Sequence, residues 1–454
     1  MWNGVYSVMR ERIEELIRLN KYTDLKELLV TMNVADIAEL IEELPELELV
    51  KVFRLLPKSI AADVFSYLPT DVEQMIITSL TEREAVSIID DLAADDATDL
   101  CDEMPASVVK KLLAKAEPDT RRDINHLLKY PDDSAGSIMT VEFVDLKKNL
   151  TVGEAVQRIK CIGLDKETIN VCYVLDESRK LIGTVALRYL LLKDENELIG
   201  DMMHKNVIMV NTLTDQEEVA RVIKKYDFTT VPVVDNEQRL VGIITVDDIV
   251  DILEQETTED IEKMAAIMPT EEPYMKTSVF VQWKKRIPWL LVLMISASFT
   301  QAVINTYQDA IIAAGYAVMT SFIPMLMDTG GNSGSQASVS VIRALTLNEI
   351  EFKDIFRVVW KESRVALLCG ITLAVCNFGK LIVVDGAAVS VSLTVCLTLI
   401  VTVFVAKVVG AVLPIVAKKI GFDPTVMASP LITTVVDVLS LIIFFNIANV
   451  ILGI

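Results

Sequence analysis

The segment from Asp423 through Pro424, Ser429, Pro430, Thr433 and Asp437 to about residue 452 constrains this chain most. It holds an apolar run over 427–452, longer than the roughly 20 residues a helix needs to cross a bilayer. One carboxylate, Asp437, lies inside that run. A charge at the bilayer centre costs roughly 2.5–3.5 kcal/mol even on lenient insertion scales, so an acid there faces a water-filled path or a partner. Asp437 is either bonded to a Ser, Thr or Asn of a neighbouring helix or is a ligand for a permeating cation. The second is the working expectation.

Four more apolar runs, 287–304, 310–327, 358–382 and 387–413, precede it, which predicts five spans. Composition agrees once it is divided. The 454 residues carry a net charge of −21 and are 52% hydrophobic. From Ile287 onward nine acids balance nine bases, so the whole negative excess lies in residues 1–286. An acidic soluble region joined to a neutral membrane region suits cations and not nucleic acid, which wants a basic surface. Six scattered cysteines without a CxxC pair read as buried thiols in a reducing compartment. The polar stretch from Met1 to Arg12 predicts no cleavable signal peptide. His126 and His204 are the only histidines, which argues against a His-based metal site. No P-loop, HExxH or nucleophile–base pair points to an enzyme.

Residues 1–130 repeat. Leu44-Pro45, Leu56-Pro57, Leu68-Pro69, Leu80-Thr81, Leu92-Ala93 and Met104-Pro105 recur every 12 residues, with short amphipathic stretches between them. Proline ends one helix and starts the next because it lacks the N–H that a helix interior needs. Stacked short helices of this kind make an all-α superhelical repeat. Its acids concentrate between Asp90 and Glu103. They form either a solvated face or a seam held to another acidic surface by divalent ions.

Residues 137–200 and 201–256 are two copies of one α/β unit. Ser137-Ile138-Met139-Thr140 opens the first and Asp201-Met202-Met203-His204 the second. Each continues with a helix, a β-rich run (Val171–Asp176; Thr230–Asp235) and a Leu-h-Gly corner at Gly183 or Gly242. This resembles a tandem CBS-domain pair. Such pairs often bind adenine nucleotides through a Thr/Ser and an Asp three residues later, here Thr245 and Asp248. The first copy has Ala186 and Tyr189 instead. Asn170, Arg188 and Phe228 either line an adenosine pocket or simply pack. Beyond Thr245, Asp247, Asp251 and Glu254 share one helix face, since residues three and four apart are neighbours. Like charges there repel unless a hard cation such as Mg²⁺ neutralises them. This stretch is either an ion-sensitive connector to the membrane or a merely solvated acidic helix, and an acidic connecting helix and linker is expected over 247–280.

The membrane region, 281–454, has basic clusters at Lys284–Arg286, Arg343–Arg364 and Lys418-Lys419, which mark the cytoplasmic side. The Gln308-Asp309 turn, the Lys380–Asp385 turn and the C-terminus then fall outside, and residues 1–286 inside. The stretch Gly330-Gly331-Asn332-Ser333-Gly334-Ser335-Gln336 is expected to leave helical geometry, either beside a cavity or as a cytoplasmic turn. Asn332 and Gln336 supply side-chain oxygens there.

Helical repeat, CBS pair, acidic connecting helix and five spans occur in this order. With Pro324…Gly-Gly-Asn-Ser-Gly-Ser-Gln and Asp423-Pro424…Ser429-Pro430-Leu431-Ile432-Thr433-Thr434-Val435-Val436-Asp437, the chain resembles the MgtE family of magnesium channels or transporters. The resemblance implies a homodimer in a bacterial-type cell membrane that conducts Mg²⁺ inward. Its connecting, or plug, helix closes the pore when cytosolic Mg²⁺ is plentiful, with ATP as a further ligand of the CBS pair. It implies Asp437 as the pore carboxylate, Gly331, Asn332, Gln336, Thr433 and Thr434 as pore lining, and Asp91, Asp95, Asp247, Asp251, Glu254 and Asp423 as regulatory acids. Lys407 departs from the family pattern, which commonly has a neutral residue there. Two other readings stand beside this one: a proton- or sodium-coupled exporter of divalent metal, and a nucleotide-sensing membrane scaffold without transport.

Overall fold

The 12-residue step becomes a ladder of helix starts. In a computed structural model, which describes residues 2–270, 274–313, 316–427 and 429–453, the chain opens with α1 (Trp2–Arg18), α2 (Tyr22–Leu29), α3 (Val34–Glu42), α4 (Glu46–Phe53) and α5 (Lys58–Ser66). It continues with α6 (Thr70–Ser79), α7 (Glu82–Asp91), α8 (Ala94–Glu103), α9 (Ala106–Leu113) and α10 (Pro118–Leu127). The residues that cap α3 to α10 are Asn33, Pro45, Pro57, Pro69, Thr81, Ala93, Pro105 and Glu117, each twelve beyond the last. At two of the four caps that are not proline a side chain takes over, while Ala93 and Glu117 make no side-chain cap bond. Thr81 closes a capping box with Glu84, and Asn33 accepts the Ala35 N–H at 3.1 Å. Helices this short are unstable alone and depend on packing. Here α3 packs on α5, α5 on α7 and α7 on α9, while α6 packs on α8. The resulting core runs through Leu25, Ile37, Leu49, Phe65, Ile76, Ile89 and Leu100.

The two α/β copies follow. In the first, β1 (Val144–Lys147) runs parallel to β2 (Val171–Leu175), which pairs antiparallel with β3 (Leu181–Ala186). Its helices are α11 (Val152–Ile162) and α12 (Leu187–Leu192), followed by the short α13 (Ile199–Met202). In the second, β4 (Val210–Asn211) runs parallel to β5 (Thr230–Val234), antiparallel to β6 (Leu240–Thr245), with α14 (Gln216–Tyr226) and α15 (Val246–Met264). The copies exchange their opening residues: Thr140 bridges to Ile243 and His204 to Thr184. This explains both repeated marks. Met203 lies over Gly183 and Met139 over Gly242, where a Cβ would sit 2.6 and 2.7 Å from the respective sulfurs.

The chain divides into two compact units, Met1–Leu253 and Glu254–Ile454. The second contains α16 (Val279–Ala313), α17 (Ile323–Thr346), α18 (Ile355–Val383), α19 (Val389–Lys419) and α20 (Ser429–Leu452). Among the described residues four stretches, Val279–Tyr307, Phe352–Val383, Val389–Lys419 and Pro424–Leu452, are long and apolar enough to cross a membrane. The 24 residues of α17 would reach about 36 Å at 1.5 Å each, enough to cross as well. This helix is less apolar and packs against α19 and α20.

Three expectations about this region are corrected. The second apolar run, 310–327, is not one span: it covers the end of α16, residues 314–315 outside the described set, a 3₁₀ turn (Ala317–Phe322) and the start of α17. Gln308 and Asp309 lie within α16 rather than at a turn. The glycine-rich stretch 330–336 stays helical inside α17. In a bilayer an unwound backbone leaves unsatisfied polar groups, whereas small residues let helices approach closely. The latter use is the one seen. A Cβ on Gly330 would meet Thr402 and Ser440, on Gly331 Thr433, and on Gly334 Ile432. A Cβ on Gly410 would fall onto the Gly334 carbonyl oxygen. Because that obstacle is backbone, Gly410→Ala forces α17 and α19 apart. Overpacking of this kind costs about 1–3 kcal/mol, so thermal unfolding of the detergent-solubilised variant is expected several degrees below the parent.

All six cysteines are free, but Cys161 and Cys376 are exposed rather than buried.

Candidate functional site

Within the first unit, an acidic seam forms where two helices begin. Ala94, the first residue of α8, is buried in the core of the second α/β copy with Val231, Ile244 and Ile249. This sets the start of α8 near the start of α15. Asp95 and Asp96 occupy the first turn of α8, and Asp247 and Asp248 the first turn of α15. Helix N-termini favour negative charge, but more carboxylates gather than two helix ends offset. Burial, reinforced by Asp96, Asp248 and Glu167, holds the Asp95 carboxyl well above the usual range. Burial and then Asp248 and Asp99 push Asp96 up to about 7. Burial and Asp248 push Asp99 to about 7 as well. Glu73 on α6 rises to about 8 through burial and the charges of Asp96 and Asp99. Glu142, half-buried at the start of the first α/β copy, rises to about 7, chiefly through burial, although the Ala94 backbone opposes the shift.

Of the expected regulatory acids, the structure therefore brings Asp95 and Asp247 into one seam. Asp251 acts on it weakly, through Asp248. Asp91 is exposed at the end of α7 and accepts a hydrogen bond from Ser87 at 3.5 Å. Glu254, also exposed, falls in the second unit. Glu73, Asp96, Asp99, Glu142 and Glu167 were not among the expected ligands. The dense acids of 90–103 were the signal for Asp96 and Asp99, while Glu73, Glu142 and Glu167 arrive from other elements and carried none. Among the described residues, no three His, Cys, Asp or Glu side chains converge on one point that could hold a metal ion.

The raised carboxyls set a pH dependence. An acid whose folded pKa exceeds its unfolded value of about 4 retains a proton in the fold that the open chain releases. Stability is then full below the ordinary carboxylate range and is lost as pH rises through about 7 to 8. In divalent-free buffer, hydrogen exchange of α8 and residues 246–253, corrected for intrinsic rates, is expected to speed up between pH 5 and 8.5. Unchanged protection would show that the carboxylates do not strain the seam.

The nucleotide candidates sit in equivalent places. The Leu187 N–H donates to the Asn170 carbonyl and the Val246 N–H to that of Thr229, so both copies turn into their helices alike. Asn170 and Arg188 are exposed, and Phe228 is half-buried and stacked on Tyr226 at 5.5 Å. Thr245 is buried and its hydroxyl donates to Asp248. Asp248 thus belongs both to the Thr–Asp motif and to the acidic seam.

In the second unit, Asp437 lies on α20, and its Oδ1 is buried with no hydrogen-bond partner among the described residues. Thr433, one turn earlier on the same face, lies against Gly331 of α17. The Thr434 hydroxyl bonds the Pro430 carbonyl at 3.0 Å. Asn332 and Gln336 lie on an exposed face of α17. Lys407 is only 5% exposed within α19 and forms no ion pair among the described residues. Asp423 is already engaged. One oxygen accepts the Thr425 N–H at 2.8 Å and its hydroxyl at 2.6 Å, and the other accepts Lys263 Nζ at 2.9 Å. Burial opposes its charge, but the Thr425 and Lys263 hydrogen bonds hold it below the usual carboxylate range. Lys263, near the end of α15, also pairs with Glu259. The Lys263 ammonium thus pairs with one of the expected regulatory acids.

Residues 323–447 match the MgtE profile, described as a divalent cation transporter; 32–133 match the MgtE intracellular N domain, and 199–255 the CBS domain. The chain is 38% identical over 336 residues to the magnesium transporter MgtE of Thermus thermophilus, covering 74% of each. It is 36% identical over 337 residues to that of Bacillus subtilis, again 74% of each. The crystal structure of the cytosolic domain of the Mg²⁺ channel MgtE in complex with ATP aligns with a TM-score of 0.52 and 34% identity, over 54% of this chain and 99% of that one. The soluble part of a magnesium transporter aligns equally, at 0.52 and 31%, over 55% and 99%. This chain belongs to the MgtE family.

Proposed function

We propose that the chain conducts Mg²⁺ into the cell as a homodimeric channel that closes when internal Mg²⁺ is plentiful. The observation that carries this reading is Asp437: a carboxylate in a membrane helix, one oxygen unpartnered, packed beside a helix whose glycines admit close approach. Mg²⁺ sheds water reluctantly and is usually held by one or two carboxylates with waters retained. One Asp437 from each of two subunits supplies that. Asn332, Gln336, Thr433, Thr434 and the Gly331 backbone line the same path. The named magnesium transporters among its relatives support the choice of ion.

The gate is the acidic seam. Mg²⁺ between Asp95, Asp96, Asp247 and Asp248 neutralises their repulsion and holds the first unit in its closed form; losing it lets the carboxylates separate. The ion is held largely through its water shell, since Mg²⁺ usually keeps several waters and binds through one or two carboxylates. Asp91, Asp251, Glu254 and Asp423 contribute field rather than direct ligation. ATP binds the CBS pair through Asn170, Arg188, Phe228, Thr245 and Asp248, as the ATP complex of the related cytosolic domain supports. Residues 1–286 are cytoplasmic and the C-terminus is outside, an arrangement favoured by basic clusters at Lys284–Arg286 and Lys418-Lys419.

The coupled exporter is the reading to test against, because a buried Lys407 and Asp437 together could relay a proton. In proteoliposomes, Mg²⁺ entry is expected to follow the Mg²⁺ gradient and membrane potential and to be indifferent to collapse of a pH gradient. Flux that stops when the pH gradient is collapsed would replace the channel by a proton-coupled carrier.

A further inference from the structure

On α17, Asp328, Asn332, Gln336 and Ser340 recur every four residues and all are exposed in the single chain. They form one polar stripe along a helix packed among apolar spans. Asp328 is the charged member of that stripe, and among the described residues it has no ion-pair or hydrogen-bond partner. An acid facing hydrocarbon is costly, so such a face meets water, an ion or another polar surface.

The register of α17 against α20 places this acid. Gly331 meets Thr433, Gly334 meets Ile432 and Val436, and Gly330 meets Val436 and Ser440. The helices therefore run antiparallel here. One turn from Thr433 along α20 stands Asp437. One turn from Gly331 in the same spatial direction along α17 stands Asp328. By this register Asp328 and Asp437 stand at the same level of the α17–α20 contact. Neither is neutralised by Lys407, which has no ion-pair partner among the described residues and is buried at the level of Ala406.

We propose that Asp328 is a second permeation-path carboxylate and a determinant of ion selectivity, giving each subunit two acids where the cation passes. The proposal rests on Asp437 lining the pore. Two acids a helix–helix contact apart demand a doubly charged ion between them far more than a singly charged one. They can hold it through its water shell from two sides. Asp437 provides the indispensable site; Asp328 raises its occupancy and disfavours Na⁺ and K⁺.

The test uses the full chain in proteoliposomes, with Mg²⁺ uptake measured against Na⁺ competition for Asp328→Asn, Asp328→Glu and Asp437→Ala. Asp328→Asn is expected to keep uptake but raise the half-saturating Mg²⁺ concentration about tenfold and to let Na⁺ compete. Asp328→Glu is expected to restore both. Asp328→Cys adds a readout that does not need transport: its modification by a charged thiol reagent, located by mass spectrometry of the peptide, is expected to be slowed by Mg²⁺. If Asp437→Ala blocks uptake while Asp328→Asn changes neither parameter, or if labelling ignores Mg²⁺, Asp328 is off the path and the proposal falls. If Asp437→Ala transports normally, the pore reading itself has failed.

Discussion

Asp437→Ala is expected to reduce Mg²⁺ uptake in reconstituted vesicles to the level of protein-free vesicles. Each 1.4 kcal/mol lost from ion stabilisation is tenfold. A dimer loses two carboxylates at once, so a drop of about 100-fold or more follows if each contributes even that much. The variant is expected to fold at least as well as the parent. A buried acceptor without a partner costs stability rather than adding it, and the Oδ1 of Asp437 is one. Loss of transport together with an unchanged or higher unfolding temperature is therefore the expected pair of results. Loss of transport with a lower unfolding temperature would mark Asp437 as structural.

Neutralising the seam is expected to act on gating and not on conduction. In Asp95→Asn/Asp96→Asn/Asp247→Asn, the two helix starts no longer repel. Two unit charges about 6 Å apart repel by about 3 kcal/mol at an effective dielectric of 20, so above the raised pKa values, where the seam carboxyls are ionised, removing three of them outweighs the ordinary few-kcal/mol bias of a gate. Flux is expected to become independent of internal Mg²⁺, where the parent is inhibited by it. Hydrogen exchange of α8 at pH 8 without divalent ions is expected to slow in the same variant. A variant inhibited by internal Mg²⁺ like the parent would place the sensor elsewhere.

Much of this architecture is legible in the residues because it is periodic. The proline step predicts the start of each repeat helix, and it extends unannounced to Asn33 and Glu117, where Met32 and Ala116 hide the Leu-Pro mark. The two α/β copies announce themselves by their openings, although only the fold explains why each needs a methionine: it covers the other copy's corner glycine. What misled was glycine. Gly330, Gly331 and Gly334 permit either an unwound loop or a tightly packed helix, and nothing local decides between them. The neighbours that decide, Thr402, Thr433 and Ile432, lie far along the chain. Hydrophobicity also misplaced the second span, since 310–327 is apolar but broken, while the helix that fills that place is polar for a reason: it carries Asp328, Asn332 and Gln336. The seam was half legible. Asp95 and Asp247 stood out in dense acidic runs, but Glu73, Glu142 and Glu167 join them only through tertiary packing. Asp423 acquires Lys263 from 160 residues away, a pairing no spacing rule could anticipate.

The most direct measurement of the whole account is Mg²⁺ flux through the unmodified chain in proteoliposomes, at low and at high internal Mg²⁺, with Co²⁺, Ni²⁺ and Mn²⁺ as competitors. A channel gated by its acidic seam takes up Mg²⁺ rapidly when the vesicle interior is Mg²⁺-free and slows steeply as internal Mg²⁺ rises at constant driving force. Uptake that is absent under both conditions, or that tracks the driving force alone with no inhibition from inside, would contradict it.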